Sequence, residues 1–405
     1  MGQAISQIGS QVSFLALPLV ATLSLGATPF QMGLLTAASS LPSLLVGLHA
    51  GALVDRHRRR PVLIAGDIGR AALLGLIPLA WATGMLSMEL LYAVALLGGA
   101  LTLFFDVAYQ AFLPTLVDRD QLVDGNSKLE LSRTAAEIAG PSLAGWLVHL
   151  LTGPVAVALD AVSYLLSALL LWRIRVHEPA PSRSAGVQRL WEEIREGLQV
   201  VVRDPRLRAL VGGRGLLDLF NAMLEAVFVL YIVRALGIGP ALIGFIFTVG
   251  GVGFLVGALL PNRASYRFGF GTATVGGIAL VGLSDLLVPL ASGSLLVVVP
   301  LLVTAQFLFG LGLTVFNVNQ ASLRQAIVPG RLQGRASATV HFLATGMVPL
   351  GAVLGGILGE LIGLRATLVV AACGELLAAL WIWNSPLRTL RELPPSIEEV
   401  TLQTT

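Results

Sequence analysis

Residues 240–261 read PALIGFIFTVGGVGFLVGALLP and contain no charged side chain. A helix of this length rises roughly 1.5 Å per residue and is about 33 Å long, close to the roughly 30 Å hydrocarbon core of a bilayer. The whole chain has the same character, since 55% of its 405 residues are hydrophobic and only 12% are charged. Soluble proteins have about 25% charged residues. The sequence therefore predicts an integral membrane protein.

Eleven further stretches are apolar and long enough to cross a bilayer, which takes roughly 17 to 25 residues each. The twelve predicted spans lie at about 3–25, 30–53, 61–83, 87–112, 129–151, 154–172, 208–235, 240–261, 271–291, 295–318, 336–361 and 366–384. The loops between them are too short to contain a separate soluble domain. The predicted fold class is an all-α membrane protein with twelve transmembrane helices.

Composition also excludes several function classes. A lone cysteine, Cys373, permits neither a disulfide framework nor a thiolate metal site, and the five histidines form no zinc-binding motif. No glycine-rich phosphate loop ending in Lys-Ser or Lys-Thr is present. We therefore expect no enzyme activity, no catalytic residue, no metal and no cofactor. Nucleic acid is not expected as a partner either, because the basic residues follow the loops.

The distribution of basic residues predicts the orientation of the chain. Of the 26 Lys and Arg residues, Arg234 and Arg365 lie on one side of the predicted spans, and Arg70 and Arg214 lie inside spans. All the others lie on the opposite side. Cytoplasmic loops carry the excess of Lys and Arg. Both termini and the central segment are therefore predicted to be cytoplasmic.

The spans predict four segments of chain. These are an N-terminal six-helix half at 1–172, a linker at 173–207, a C-terminal six-helix half at 208–385 and a cytoplasmic tail at 386–405. Apolar residues within 187–201 recur at helical spacing, which favours an amphipathic helix on the inner leaflet. A solvated linker is the alternative.

The two predicted halves repeat short motifs. GALVDR at 51–56 resembles GALLPNR at 257–263, and residues 116–127 resemble 327–337. Each pair is separated by about six spans. Two pseudo-symmetric halves are typical of secondary transporters, whose substrate site lies near the bilayer midplane.

The loop after span 2 carries a family resemblance. Residues 51–63, GALVDRHRRRPVL, resemble the signature loop of the major facilitator superfamily. Shorter stretches at 5–9, 113–117 and 242–244, together with Gly140-Pro141, are similar to its bacterial drug and siderophore efflux branch, which includes macrolide-efflux and enterobactin-exporter-like proteins. The resemblance implies a multi-pass protein of the bacterial cytoplasmic membrane, a proton gradient as the energy source, lipid as a partner and a monomeric state.

Two residues depart from the family pattern. Relatives usually have glycine where Arg58 stands, and they often have an acidic residue where Ser10 stands. The second departure removes one possible proton site from span 1.

Span 7 contains the most concentrated set of polar residues within a span. Arg214, Asp218, Asn221 and Glu225 are spaced by four, three and four residues, so they share one helical face. A charge at the bilayer centre costs about 2.5 to 3.5 kcal/mol on insertion scales, which makes such residues functional candidates. Because the resemblance implies that spans 1, 4, 7 and 10 line a cavity, we expect this face to handle cargo and protons. The alternative is an Arg214–Asp218 ion pair that only joins helices.

Other polar residues on cavity-lining spans complete the predicted site. They are Gln7 and Gln11 on span 1, Asp106, Tyr109 and Gln110 on span 4, and Gln306 and Asn317 on span 10. Neutral polar walls with aromatic patches and few acids suit a bulky amphipathic or cationic small molecule. Glu225 is the predicted coupling acid, and Asp106 is the next candidate.

Several acids elsewhere in the spans receive structural interpretations. Asp67 and Arg70 are three residues apart, so a mutual ion pair is predicted. Asp160, Asp285 and Glu375, on spans 6, 9 and 12, are expected to bond to neighbouring helices, with a proton route as the alternative.

The signature loop is interpreted as a cytoplasmic gate. Its residues are Gly51, Asp55, Arg56, Arg59 and Arg60. The resemblance implies that Asp55 accepts from exposed N–H groups at the start of span 11 and so closes the cytoplasmic side. The arginines would face anionic lipid heads, worth roughly 1 kcal/mol each. A loop that only orients the protein is the alternative.

Residues Gly140, Pro141 and Gly145 on span 5 loosely match the antiporter motif of the family. The sequence as a whole predicts an efflux antiporter for a drug-like amphipathic molecule, working by alternating access and contributing to multidrug resistance. A siderophore or metabolite exporter, an importer of the same fold and a lipid-handling membrane protein are the alternatives.

Overall fold

The computed structural model describes residues 2–55, 57–112, 122–174, 195–196, 198–199, 201–328 and 332–392. Every regular element within these ranges is a helix. The first half of the chain forms α1 (Gly2–Leu23), α2 (Pro29–Asp55), α3 (Arg59–Ala82), α4 (Met88–Phe112), α5 (Leu122–Leu151) and α6 (Gly153–Arg173). The second half forms α7 (Pro205–Arg234), α8 (Pro240–Ala258), α9 (Pro261–Phe268), α10 (Phe270–Leu290), α11 (Leu295–Ile327), α12 (Gln333–Thr345), α13 (Met347–Leu361) and α14 (Leu364–Trp383).

Eleven segments of the described chain are long and apolar enough to cross a membrane. They correspond to the predicted spans except 129–151, which lies within α5. The 30 residues of α5 are ample for a span, but its first half includes Lys128, Glu130, Arg133 and Glu137 and lowers its hydropathy. The all-helical membrane fold predicted from the sequence is therefore confirmed.

Two helical boundaries differ from the predictions. The predicted span 336–361 consists of α12 and α13, which are separated at Gly346. The short helix α9 occupies a predicted loop, and it meets α10 at Gly269, whose φ of 85° favours glycine. The predicted surface helix at 187–201 falls mostly on residues outside the described ranges.

The helices divide into two compact units. One comprises Met1–Ser184, Glu225–Thr248 and Gly356–Leu364, and the other comprises Ala185–Leu224, Val249–Gly355 and Arg365–Thr405. Each unit draws on both halves of the sequence, and the predicted segment boundaries remain a prediction.

In the first unit, α1 packs against α5 and α6, α2 against α4, and α3 against α4 and α6. Small residues permit these close approaches. A Cβ added at Gly99 of α4 would lie 2.3 Å from the backbone oxygen of Ser39 on α2. Backbone contact of this kind requires glycine.

In the second unit, α10 packs along α11. A Cβ at Gly277 of α10 would lie 2.9 Å from the backbone oxygen of Gly312, and one at Gly312 would lie 2.6 Å from the backbone oxygen of Gly277. The core beside this contact is apolar and contains Ile278, Val281 and Phe316, all fully buried.

Candidate functional site

Helix α7 positions the predicted polar face. It runs without interruption from Pro205 to Arg234 and keeps Arg214, Asp218, Asn221 and Glu225 on one side. Its start is fixed by Asp204, whose Oδ1 accepts from the backbone N–H of Arg206 at 2.7 Å.

Asp204 is a charged helix cap. Burial alone would raise the pKa of this carboxyl, but hydrogen bonds from the Arg206 side chain and from the backbone N–H groups of Arg206 and Leu207 lower that pKa below its ordinary value. The ionised carboxylate therefore stabilises the first turn of α7 at neutral pH.

Arg214 and Asp218 are engaged with each other and with α11. The Nε atom of Arg214 lies 2.8 Å from Oδ1 of Asp218, and its Nη1 donates to Oδ1 of Asn317 at 2.5 Å. The ion pair that the sequence offered as an alternative is present. The hydrogen bond from Arg214 to Asn317 also joins two of the predicted site residues across α7 and α11.

Glu225 has a different environment. Its side chain is exposed, and no other charged group or hydrogen-bond partner within the described chain acts on its carboxylate. Asn221, one turn earlier, is half-buried and lies beside Glu375 of α14. Glu225 is therefore the acid of this face that is exposed and that, within the described chain, no arginine neutralises.

The predicted residues on α4 face different surroundings. Asp106 and Gln110 are exposed, and the charged groups that act on Asp106 are Arg70 and Arg133. The Tyr109 ring stacks on Phe105 with centroids 5.9 Å apart. Tyr109 thus belongs partly to the packing of α4.

The predicted glutamines lie at helix contacts. Oε1 of Gln7 is buried and has no hydrogen-bond partner within the described chain. Gln11 packs on α5, because a Cβ added at Gly140 of α5 would lie 2.3 Å from the Cβ of Gln11. Gln306 of α11 is buried beside Gly250 of α8.

The predicted motif on α5 forms a backbone contact with α8. A Cβ at Gly145 would lie 2.4 Å from the backbone oxygen of Pro240, and one at Gly244 would lie 2.3 Å from that of Pro141. Nearby, the hydroxyls of Ser142 and Thr248 are 2.6 Å apart. Gly145 and Pro141 thus allow two helices to approach as closely as backbones can.

The signature loop is only partly described. Gly51 and Asp55 end α2, but their side chains and residue Arg56 lie outside the described residues, so the proposed gate stays a prediction. The expected role of Arg60 at lipid heads stays a prediction, and the structure adds a contact within the protein. Its Nε and Nη2 donate to the backbone oxygens of Leu171 and Trp172, at 3.1 and 2.5 Å, because a guanidinium is attracted to the carbonyls at the end of α6. Arg59, also in this loop, is half-buried.

A buried polar cluster joins α1, α3 and α6. The predicted Asp67–Arg70 ion pair is confirmed, with Nη2 of Arg70 2.5 Å from Oδ1 of Asp67. The Arg70 guanidinium lies between two rings, 4.1 Å from the centroid of Phe105 and 4.2 Å from that of Tyr164. Asp160 accepts hydrogen bonds from Ser13 and Ser163.

A second buried cluster was not predicted from the sequence. Asp285 of α10 and Glu375 of α14 are 2% and 0% exposed, and their carboxyl groups contact each other. The two acids are 90 residues apart in the sequence, so each was interpreted separately. The signal that could have paired them is that both are single acids on apolar helices, at the third and sixth spans of the second half.

Helices that cross a bilayer, together with a face of charged and polar residues inside one of them, define a multi-pass membrane transporter. Residues 1–399 match the family model for transmembrane secretion effectors. The chain belongs to this family of the major facilitator superfamily, as the resemblance of the signature loop predicted.

Known transporters align with this chain over most of their length. The MFS-type transporter YfiS of Bacillus subtilis is 27% identical over 92% of this chain and 88% of its own. The multidrug efflux pump Tap of Mycolicibacterium fortuitum is also 27% identical, over 91% of this chain and 90% of its own.

Solved structures share the fold. A bacterial homologue of the iron transporter ferroportin has a TM-score of 0.75 at 18% identity, covering 94% of this chain and 96% of that chain. The nucleoside transporter NupG has a TM-score of 0.75 at 13% identity, covering 94% and 99%. At these identities the likeness shows the fold alone.

Proposed function

We propose that the protein exports a small amphipathic, drug-like molecule across the bacterial cytoplasmic membrane in exchange for protons. Both termini would face the cytoplasm, as the distribution of basic residues predicts. Transport would follow alternating access, the mechanism of secondary transporters with two helical halves.

Two findings support export of such a cargo. A relative that aligns over 91% of the chain is the multidrug efflux pump Tap. The predicted cavity residues also include more neutral polar side chains than charged ones, which suits a bulky amphipathic or cationic cargo.

The observation that carries the proton-coupled part is the contrast between two acids on α7. Asp218 is neutralised by Arg214, whereas Glu225 is exposed and has no partner within the described chain. Antiport requires a carboxylate that binds a proton in one state and releases it in another. Glu225 is free to do so without breaking an ion pair.

The test is a drug-susceptibility panel in a host without its own efflux pumps. We expect the wild-type protein to raise resistance to at least one amphipathic compound, and a protonophore to abolish this resistance. Glu225→Gln should lose the resistance at an equal amount of membrane-inserted protein, because glutamine keeps the shape but cannot release a proton.

Glu89→Gln is the matched control, since Glu89 is exposed at the first turn of α4. It should retain wild-type resistance. Resistance by Glu225→Gln at the wild-type level would assign coupling to another acid. Lipid flipping by the purified protein in liposomes, without any dye efflux, would instead favour a lipid-handling protein.

A further inference from the structure

The contact between Asp285 and Glu375 places two carboxyl groups in the interior of the second unit. Helices α10 and α14 run close together here, since a Cβ added at Gly282 would lie 2.8 Å from Leu376. At the residue before Glu375, the ring of Phe220 on α7 lies against Gly374. Both acids are therefore buried where α10, α14 and α7 pack together.

The oxygens of this pair lack donors. Among the residues that the structure describes, no donor meets full hydrogen-bond geometry at Oε1 or Oε2 of Glu375 or at Oδ2 of Asp285. The side-chain amide of Asn221 on α7 is close enough to interact with Glu375 as a hydrogen-bond donor outside that geometry, and Asp285 has no such neighbour. Buried polar atoms are nearly always hydrogen-bonded, so atoms without partners at this depth indicate a bound species that supplies the missing donor.

Other charges on the surrounding helices are engaged elsewhere. Arg214 and Asp218 of α7 bind each other, and Arg365 of α14 donates to the backbone oxygen of Pro289. Arg324 of α11 lies two turns or more beyond the α10 contact at Gly312, and Glu225 lies one turn beyond Asn221. Within the described chain, Asp285 interacts only with Glu375, and Glu375 interacts only with Asp285 and with the side chain of Asn221.

Two ionised carboxylates cannot remain together in such a place. Like charges about 4 Å apart repel by roughly 4 kcal/mol at an effective dielectric constant of about 20. Removing each ion from water costs several kcal/mol more. A proton held between the oxygens removes one charge and supplies the donor that the geometry lacks.

We propose that Asp285 and Glu375 form a proton-binding site of the C-terminal six helices, in which the two carboxyl groups share one exchangeable proton. Uptake forms an O–H bond on Glu375 and breaks one in a hydronium ion, which leaves as water; release is the reverse. The side chain of Asn221 on α7 interacts with Glu375, so movement of α7 would change the surroundings of the pair.

The role of this site in transport rests on the proposed function, because only an antiporter would exchange the proton for cargo. Asn221, which interacts with Glu375, is part of α7, the helix that also carries Arg214 and Asp218. The proton carried by the pair would thereby be coupled to the position of the helix that carries the predicted cargo face.

Infrared difference spectroscopy tests the site without any knowledge of the cargo. The full-length protein in liposomes is moved between acidic and alkaline buffer, and the carbonyl stretch of a protonated carboxylic acid is recorded in H₂O and D₂O. We expect a deuterium-sensitive band in the wild-type protein and in Glu89→Gln. Asp285→Asn and Glu375→Gln should each remove or shift it. A band unchanged in both variants would overturn the proposal.

Transport of ethidium into the same liposomes tests the coupling. With a pH gradient, Glu375→Gln should accumulate less dye than wild type by a factor of roughly 5 to 150, the usual size of coupling between two sites. Dye exchange at equal pH should be unchanged, and Glu375→Asp should restore part of the accumulation. Thermal unfolding of each variant in detergent excludes loss of folded protein.

The outcomes separate the two proposals. If the wild-type protein does not transport ethidium, the proposed function fails for this probe, while the infrared band still decides whether the pair binds a proton. If wild type accumulates ethidium and both pair variants do so equally, a coupling role for the pair is overturned.

Discussion

The polar cluster of the first six helices and the acid pair of the last six occupy the same spans of their halves but differ in charge. Asp67 and Asp160 lie on the third and sixth spans of the first half, and Asp285 and Glu375 lie on the third and sixth of the second. The first cluster contains Arg70, and among the described residues the second has no cation beside it.

This difference separates fixed charge from an exchangeable proton. Arg70 neutralises one carboxylate and is itself stabilised by two aromatic rings, an interaction worth about 2 kcal/mol or more when desolvated. Asp160 receives two hydroxyl donors instead. The first cluster can therefore balance a carboxylate with a cation, whereas the second, among the described residues, has no cation and can reduce its charge by binding a proton.

The largest effect is expected from Arg70→Met. Removing one partner of a buried ion pair costs about 3 to 5 kcal/mol, because the remaining carboxylate is left uncompensated. We expect a correspondingly lower free energy of unfolding, measured by steric trapping in bicelles. Arg58→Met, at an exposed position, should change it by less than about 0.5 kcal/mol. Wild-type stability in Arg70→Met would show that the first cluster needs no cation.

A smaller effect is expected from Gly9→Ala on α1. The added methyl would lie 2.2 Å from both Oδ1 of Asp160 and Oγ of Ser163, so it would displace the hydrogen bond between them. Overpacking of this kind costs about 1 to 3 kcal/mol. The control is Gly276→Ala on α10, where nothing lies within 4 Å of the added atom. It should be neutral or stabilising by up to about 1 kcal/mol, and equal losses in both variants would show that the cost does not come from the contact with Asp160 and Ser163.

The smallest effect is expected from neutralising the acid pair. Asp285→Asn/Glu375→Gln replaces a shared proton by amide hydrogen bonds, so the free energy of unfolding should change by less than about 1 kcal/mol. The matched variant in the first cluster, Asp67→Asn/Asp160→Asn, strands Arg70 and should lose about 3 to 5 kcal/mol. Equal losses in the two double variants would contradict the distinction between the clusters.

The sequence predicted the fold well because each span is decided locally. A run such as 240–261 has no charge and must lie in lipid, whatever the rest of the chain does. The prediction was less complete for α5. The predicted span 129–151 covers only part of this helix of 30 residues, because charged residues in its first half lower the hydropathy. Ion pairs between residues three or four apart on one helix, such as Asp67 with Arg70 and Arg214 with Asp218, were also predictable from their spacing.

Contacts between distant spans were not predictable in the same way. Nothing in the local sequence of Asp285 or Glu375 says that their helices run side by side, and nothing near Arg60 indicates that it reaches the end of α6. These arrangements depend on which helices pack together. The gate at Asp55 and the coupling role of Glu225 depend further on conformational change, and they remain predictions.

The unequal lengths of the helices have a consequence for the surrounding lipid. The 19 residues of α8 extend roughly 28 Å at about 1.5 Å per residue, whereas the 33 residues of α11 extend roughly 50 Å. A bilayer core of about 30 Å fits the first and is far exceeded by the second. Thicker membranes would create hydrophobic mismatch at α8, which can neither tilt nor lengthen to relieve it, while α11 has turns to spare. The lipid chain length used for reconstitution will therefore affect α8 before it affects α11.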